Sequence, residues 1–322
     1  NQARKCNCSM KDQIKPLLPH LIALGIFLAI GALFFSPVLQ GFRLIQGDMR
    51  NTVGIVQEAH FFNALYSANT LWSGSAFCGM PTFLTTAAFS GNVISNLGVF
   101  FFGGSSPLVI WLLYAISFYV LMLSLKVNKN LAIVAALAFA FSSYFIVILE
   151  VGHVTKALAV AFAPLVLAGL VICYRGKYFA GAALLSFAMA LEIYANHIQV
   201  SYYFAFVFLF YVIAQFIKAL QEKTLPNFVK ASAFSLLAVV VGVLCNFANL
   251  YNTYEYGKQT TRGVSELSIK ADGTSNADIQ TQGLDRDYVT AWSYGLGESW
   301  TLLIPNAKGG ATGAIGNDEK AL

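Results

Sequence analysis

The sequence predicts an all-α, polytopic membrane helix bundle of about seven transmembrane helices, with interfacial helices in its first outer loop. Three observations carry that expectation. Hydrophobic residues make up 57% of the chain and charged residues 11%, with a mean hydropathy of +0.64, whereas a soluble domain carries roughly 25% charged residues. Apolar stretches long enough to cross the hydrocarbon core recur along the chain. Lysine and arginine alternate between successive connections, as topology requires of a multi-pass protein.

The apolar stretches run over 17–39, 107–125, 131–149, 157–173, 178–195, 200–217 and 230–249. The first lacks a small-residue cleavage site before Gln40 and Gly41 and runs to about 20 residues, so it is expected to stay in the mature chain. Residues 1–16 form a cytoplasmic tail. This orientation places Arg4, Lys5, Lys11, Lys15, Lys126, Lys129, Arg175, Lys177, Lys218, Lys223 and Lys230 in the cytoplasm, and leaves Arg43, Arg50 and Lys156 for the outer segments between helices. Acids follow the opposite rule. Apart from Asp12 and Glu222 they lie at outer helix ends or in outer segments, as do His60, His153 and His197. The outer face therefore collects the titratable groups.

Residues 17–249 make the transmembrane core, which includes the long first outer loop, 40–106. Within that loop Val53–Leu65 predicts an amphipathic helix and Val93–Phe102 a second apolar piece, both suited to the interface. Gly74, Gly79, Pro81, Gly91, Gly103 and Gly104 punctuate it. The outer segment 250–322 is rich in Gly, Thr, Ser and Asp, and Ser265–Gln282 is expected to be disordered. The chain starts with Asn1 and stops in an outer segment, so both ends are expected to be those of a fragment.

Composition also excludes several classes. Cys173 and Cys245 lie in apolar runs, Cys6 and Cys8 in the tail and Cys78 in the first loop, which is no disulfide framework. A zinc site at Cys6 and Cys8 would need two further ligands nearby. The net charge of +5 is spread over helix ends without interleaved aromatics, so no nucleic-acid partner is expected.

Asp48, in Gln46-Gly47-Asp48-Met49-Arg50, is the leading candidate for chemistry. A carboxylate at the membrane surface with restricted water access can act as general base toward a hydroxyl; alternatively it is an interfacial acid paired with Arg43 or Arg50. The short outer turn Glu150-Val151-Gly152-His153-Val154-Thr155-Lys156 offers His153 and Lys156 to a phosphate. Glu150 with His153 could instead hold magnesium or manganese, or these charges could simply cap a helix hairpin. The next outer turn carries Glu192, Tyr194, Asn196, His197 and Gln199. An acid and a histidine in both turns point to one shared site, although a lone histidine at a helix end is ordinarily structural. Trp72, Tyr202, Tyr203, Tyr251, Tyr254 and Tyr256 fall near outer interfaces, as belt residues or as platforms for a sugar ring.

The helix with its N-terminus inside, the acid early in the long first loop and the charged second outer turn resemble the GT-C superfamily of membrane glycosyltransferases. Leu44-Ile45-Gln46-Gly47-Asp48, Leu71-Trp72-Ser73-Gly74 through Gly79-Met80-Pro81-Thr82, Gly152-His153-Val154-Thr155-Lys156 and Tyr294-Gly295 look like the YfhO family of bacterial membrane proteins. The resemblance implies transfer of a sugar, with inversion, from a polyprenyl-phosphate carrier to a glycan, lipid or protein acceptor. The reaction would take place on the outer face of a bacterial inner membrane. It implies Asp48 as base, His153, Lys156 and Arg50 as donor-phosphate groups, and Glu150 with His153 as ligands for a divalent cation. Glu58, His60, Glu192 and His197 are implied acceptor or donor contacts. Glu150 stands alone where relatives carry two acids, which leaves metal dependence open. The alternative is a non-catalytic subunit for binding, transport or assembly of lipid-linked glycans. Transporters carry charged or broken helices at mid-membrane, and here the apolar stretches are expected to be free of interior charge.

Overall fold

The structure is a computed structural model. It describes residues 15–85, 92–102, 106–260, 273–274, 286–291, 293, 295–304 and 307–308. Cys6, Cys8, nearly all of the N-terminal tail, Gly91, Gly103, Gly104, Tyr294 and, except for 273–274, the segment 265–282 lie outside the described residues.

The chain divides into two compact units, Asn1–Met49 with Asn92–Cys245, and Arg50–Gly91 with Asn246–Leu322. The first is a helical membrane bundle. Its helices are α1 (Leu18–Phe34) and the short α2 (Ser36–Leu39), followed, after the start of α3 (Gly47–Tyr66), by α4 (Val93–Phe102) and α5 (Pro107–Ser124). Then come α6 (Lys129–Ala140), α7 (Ser143–Val151), α8 (Val154–Tyr174), α9 (Tyr178–Tyr194), α10 (Ile198–Gln221) and α11 (Leu225–Leu244). Among the described residues α5, α8, α10 and α11 are each long and apolar enough to cross a membrane, and α6 with α7 adds a fifth span if that bent pair counts as one. The shorter apolar helices α1 and α9 have 17 residues each.

Two expected spans are broken. The first stops at Phe34 and resumes at Ser36, because Pro37 has no amide to donate and crowds the residue before it. The third breaks between Ala140 and Ser143, and its halves meet at 46°. Serine pairs are recurrent kink sites, and here the Ser142 carbonyl accepts from the amides of Phe145 and Ile146 to start a new helix. Phe141 turns at the break to pack on Trp111 and Phe34.

The core follows residue size. Ala23, Ala115, Ala132, Ala136, Ala140, Ala157 and Ala161 are buried around Trp111, Tyr114 and Phe27. Between lipid-solvated helices apolar burial drives little association, so close van der Waals contact through small residues has to hold the bundle. The antiparallel pair α8 and α9 meets this demand at two levels. A Cβ on Gly169 would lie 2.7 Å from the backbone of Leu185, and one on Gly181 would lie 2.5 Å from the amide of Cys173. By contrast α10 has none of its most apolar 18-residue window buried; Phe206, Val207, Leu209 and Phe210 face outward. Val200, Phe204, Phe208 and Tyr211 of the same helix pack against the core, and the apolar exposure of its other face suits acyl chains and not water.

In the second unit most of α3 stays exposed, Ala59 being its buried residue. The expected interfacial helix is thus longer than Val53–Leu65, and Val53, Phe61 and Leu65 remain exposed. A two-stranded antiparallel ribbon follows, β1 (Trp72–Ser73) with β2 (Met80–Pro81), which the sequence did not predict. Gly79 turns into β2 at φ +118, and its missing side chain leaves room for the Trp72 indole, 2.6 Å from where a Cβ would stand. The helix α12 (Phe247–Gly257) continues this unit at the start of the segment 250–322.

Because Gly169 has backbone against it, Gly169→Val should destabilise the full chain by about 1–3 kcal/mol, seen as a lower thermal midpoint in detergent. Gly25→Val, with nothing within 4 Å of the new Cβ, should melt close to wild type.

Candidate functional site

At one end of the bundle the polar groups of three connections converge. The first comes from the stretch between α2 and α3. Gln46 donates its side-chain amide to the Leu149 carbonyl near the end of α7, which ties this stretch to the α7–α8 turn. Gly152 sits in that turn at φ +95, and a Cβ there would be 2.8 Å from Gln46 Cβ and 3.1 Å from Met49 Cγ. Glycine is thus required both for the left-handed backbone and for the approach of the Gln46 segment.

That approach places Asp48, in the first turn of α3, against His153, the residue that precedes α8. Asp48 Oδ2 is 2.7 Å from His153 Nε2. The two side chains are 53% and 39% exposed, and an exposed pair of this kind contributes at most about 1 kcal/mol to stability. Stability alone is a weak reason for holding it. The acid is therefore joined to the glycine-histidine turn, a partner not weighed from the sequence.

The third connection joins α9 to α10. Asn196 takes a left-handed conformation, φ +56, which asparagine tolerates better than most residues. His197 then caps α10, and its Nδ1 lies 3.2 Å from Thr155 Oγ1 in the first turn of α8. Burial lowers the His197 pKa from its ordinary 6.5, and the nearby Lys156 and His153 charges lower it further. Its neutral ring can then exchange a hydrogen bond with Thr155 at neutral pH.

Glu192 is not in the turn. It occupies the last turn of α9 and is 1% exposed, which corrects the expectation that helix interiors are free of charge. Ser201 Oγ donates to its Oε1 at 2.9 Å, while its buried Oε2 has no hydrogen-bond partner among the described residues. Ser201 was not singled out from the sequence; its signal was a hydroxyl four residues after His197, on the same face of α10.

Beside this cluster a cavity of about 580 Å³ is lined by apolar Val38, Phe42 and Leu44 together with Arg43, Gln46 and Met49. Gln46 and Met49 flank Asp48 in sequence. Arg43, expected to be a topological cation, thus adds positive charge to a pocket of mixed polar and apolar lining.

Other predicted residues lie elsewhere. Glu150 is exposed in the last turn of α7. Arg50, Glu58 and His60 belong to the second unit, where Glu58 Oε2 accepts from Ser73 Oγ at 3.1 Å and from the Gly74 amide at 2.9 Å. Glu58 therefore ties α3 to the ribbon. Among the described residues no three His, Cys, Asp or Glu side chains gather as a metal would require. Glu150 and His153 alone do not fit a divalent centre, and His153 Nε2 already faces Asp48.

Comparison with family models, curated proteins and solved structures finds no match to this chain. The site's own chemistry is a carboxylate held by a histidine, a second histidine whose pKa burial lowers, a nearby lysine, and an arginine in the lining of a cavity.

Since burial, with Lys156 and His153 nearby, holds the His197 pKa down, its imidazole signals should titrate below pH 6.5. Lys156→Gln should move the midpoint upward. A depressed base penalises the folded state as pH falls below the unfolded value near 6.5, so the wild type should lose stability there. An unmoved NMR titration in Lys156→Gln would show that the lysine does not act on this ring.

Proposed function

We propose that this chain is a membrane glycosyltransferase of GT-C type, related to the YfhO family, that moves a sugar from a polyprenyl-phosphate carrier to an acceptor hydroxyl. The observation that carries the reading is the 2.7 Å contact between Asp48 and His153. It unites two of the segments on which the resemblance rests, although they are far apart in the chain. In this reading the N-terminus and the lysine-rich end of the bundle face the cytoplasm, and the Asp48 end opens on the outer face of a bacterial inner membrane.

The step follows from the groups present. The acceptor hydroxyl oxygen attacks the anomeric carbon while Asp48 takes its proton, with His153 fixing the carboxylate's orientation. The bond from the anomeric carbon to the phosphate oxygen breaks on the opposite face, and its electron pair leaves with the polyprenyl phosphate. The sugar configuration inverts. Lys156 offsets the charge that develops on the departing phosphate, a preorganised electrostatic contribution, and Arg43 contributes a positive group to the lining of the cavity. No step is assigned to a metal, for want of a donor set.

Glu192 and the broken α6–α7 span favour a second reading. A buried carboxyl near the end of a membrane helix and a discontinuous helix are both features of transporters. A non-catalytic subunit that binds or moves a lipid-linked glycan would use the same cavity without breaking a bond.

Reconstitution of the full chain in liposomes with a panel of polyprenyl-phosphate sugars and acceptors separates the two. Wild type should transfer sugar. Asp48→Asn should lose about 10²–10⁴-fold in rate, and Lys156→Ala about 10²-fold, with carrier binding retained in the former. Full transfer by Asp48→Asn would remove the base from the mechanism, and carrier binding without transfer by wild type would decide for the second reading.

A further inference from the structure

A second cavity lies at the opposite end of α8, about 31 Å along a helix of 21 residues. It has a volume of about 470 Å³ and is lined by apolar Val120, Leu123 and Ile172 together with Lys126, Arg175 and Lys177. This volume is in the range of small-ligand sites, roughly 300–1,000 Å³. No carboxylate lines it among the described residues.

Two helix ends shape the cavity. After α5 the Lys126 amide donates to Leu123 and that of Val127 to Met122; after α8 the Gly176 amide donates to Cys173 and that of Lys177 to Ile172. Both are left-handed helix caps, the position where glycine is the ordinary occupant. At the end of α8 it is Gly176, φ +82, but at the end of α5 it is Lys126, φ +62. Lys223 at the end of α10 adopts the same conformation, φ +57, so the cap places the Lys126 backbone without by itself marking a site. Arg175 donates to the Ser124 carbonyl, which joins the two helix ends and fixes the guanidinium beside the cavity. Helix dipoles and membrane topology account for the sign of the charges at these ends. They do not account for an apolar-walled cavity enclosed by three of them.

We propose that this cavity binds the phosphodiester headgroup of an anionic phospholipid from the leaflet on the lysine-rich side. The cavity stands at the ends of apolar helices, where headgroups lie, and its lining combines cations for the phosphate with apolar side chains for the first acyl carbons. Basic pockets between membrane helices recognise lipid headgroups in this way. The inference is independent of the transferase reading, because its residues are at the other end of the bundle from Asp48.

Native mass spectrometry of the full chain in detergent, mixed with phosphatidylglycerol or phosphatidylcholine, tests it. Wild type should retain phosphatidylglycerol and release phosphatidylcholine. The Lys126→Gln, Lys177→Gln double variant, which leaves Arg175 in place, should retain phosphatidylglycerol about tenfold more weakly or worse. Lys218→Gln with Lys223→Gln removes the same charge away from the cavity and should behave as wild type. Equal retention of both lipids by wild type, or an equal loss in both double variants, would overturn the proposal. Displacement of the lipid by inorganic phosphate would give the cavity to a soluble anion and overturn the lipid assignment.

Discussion

The backbone contact between α8 and α9 is the constraint on which the first unit depends. In a lipid environment apolar side chains gain little by leaving the solvent, so the pair must be held by atoms in close contact. Gly169 against Leu185 and Gly181 against Cys173 allow this at two levels of the same antiparallel seam. Once the seam is fixed, both ends of the helix pair are fixed with it. One end presents His153 and Lys156 before and within the first turn of α8, and Glu192 and His197 at the exit of α9. The other end presents Arg175 and Lys177.

The site shows how such a rigid pair can carry polar groups with different costs. Asp48 and His153 are half exposed and add little stability, so their contact specifies geometry more than it strengthens the fold. Glu192 is the opposite case. A buried carboxyl with one oxygen lacking a hydrogen-bond partner among the described residues costs folding free energy, and Ser201 offsets part of that cost. The neutral imidazole of His197 is a further consequence of packing, because the same burial that positions the ring disfavours its charge.

The helical membrane bundle was legible in the sequence because hydropathy reports solvation directly, and every expected apolar stretch is found on helices within several residues of its expected limits. The break at Phe141 and Ser142 was not, since hydropathy does not register which carbonyls change partners. Glu192 was read as a turn residue because an acid at the edge of an apolar run gives no sign of whether it faces a neighbouring helix. Asp48 and His153 were legible as candidates, through their position and the resemblance. Their pairing was not, because Arg43 and Arg50 are much closer in sequence, while the Gln46–Leu149 hydrogen bond and the close approach at Gly152 that join the distant turn to Asp48 leave no sequence pattern. Glu58, expected to meet a ligand, accepts hydrogen bonds from Ser73 and Gly74, a structural contact in a ribbon too short to leave a sequence pattern.

The break between α6 and α7 gives the His153 turn a mechanical character of its own. The nine residues of α7 form a lever about 13.5 Å long, pivoting where the helical hydrogen bonds are interrupted. Because the Gln46 side chain is tied to Leu149 near the tip of that rod, the angle at which the rod is set aims the Asp48 segment and the His153 turn together at the end of the α8–α9 seam.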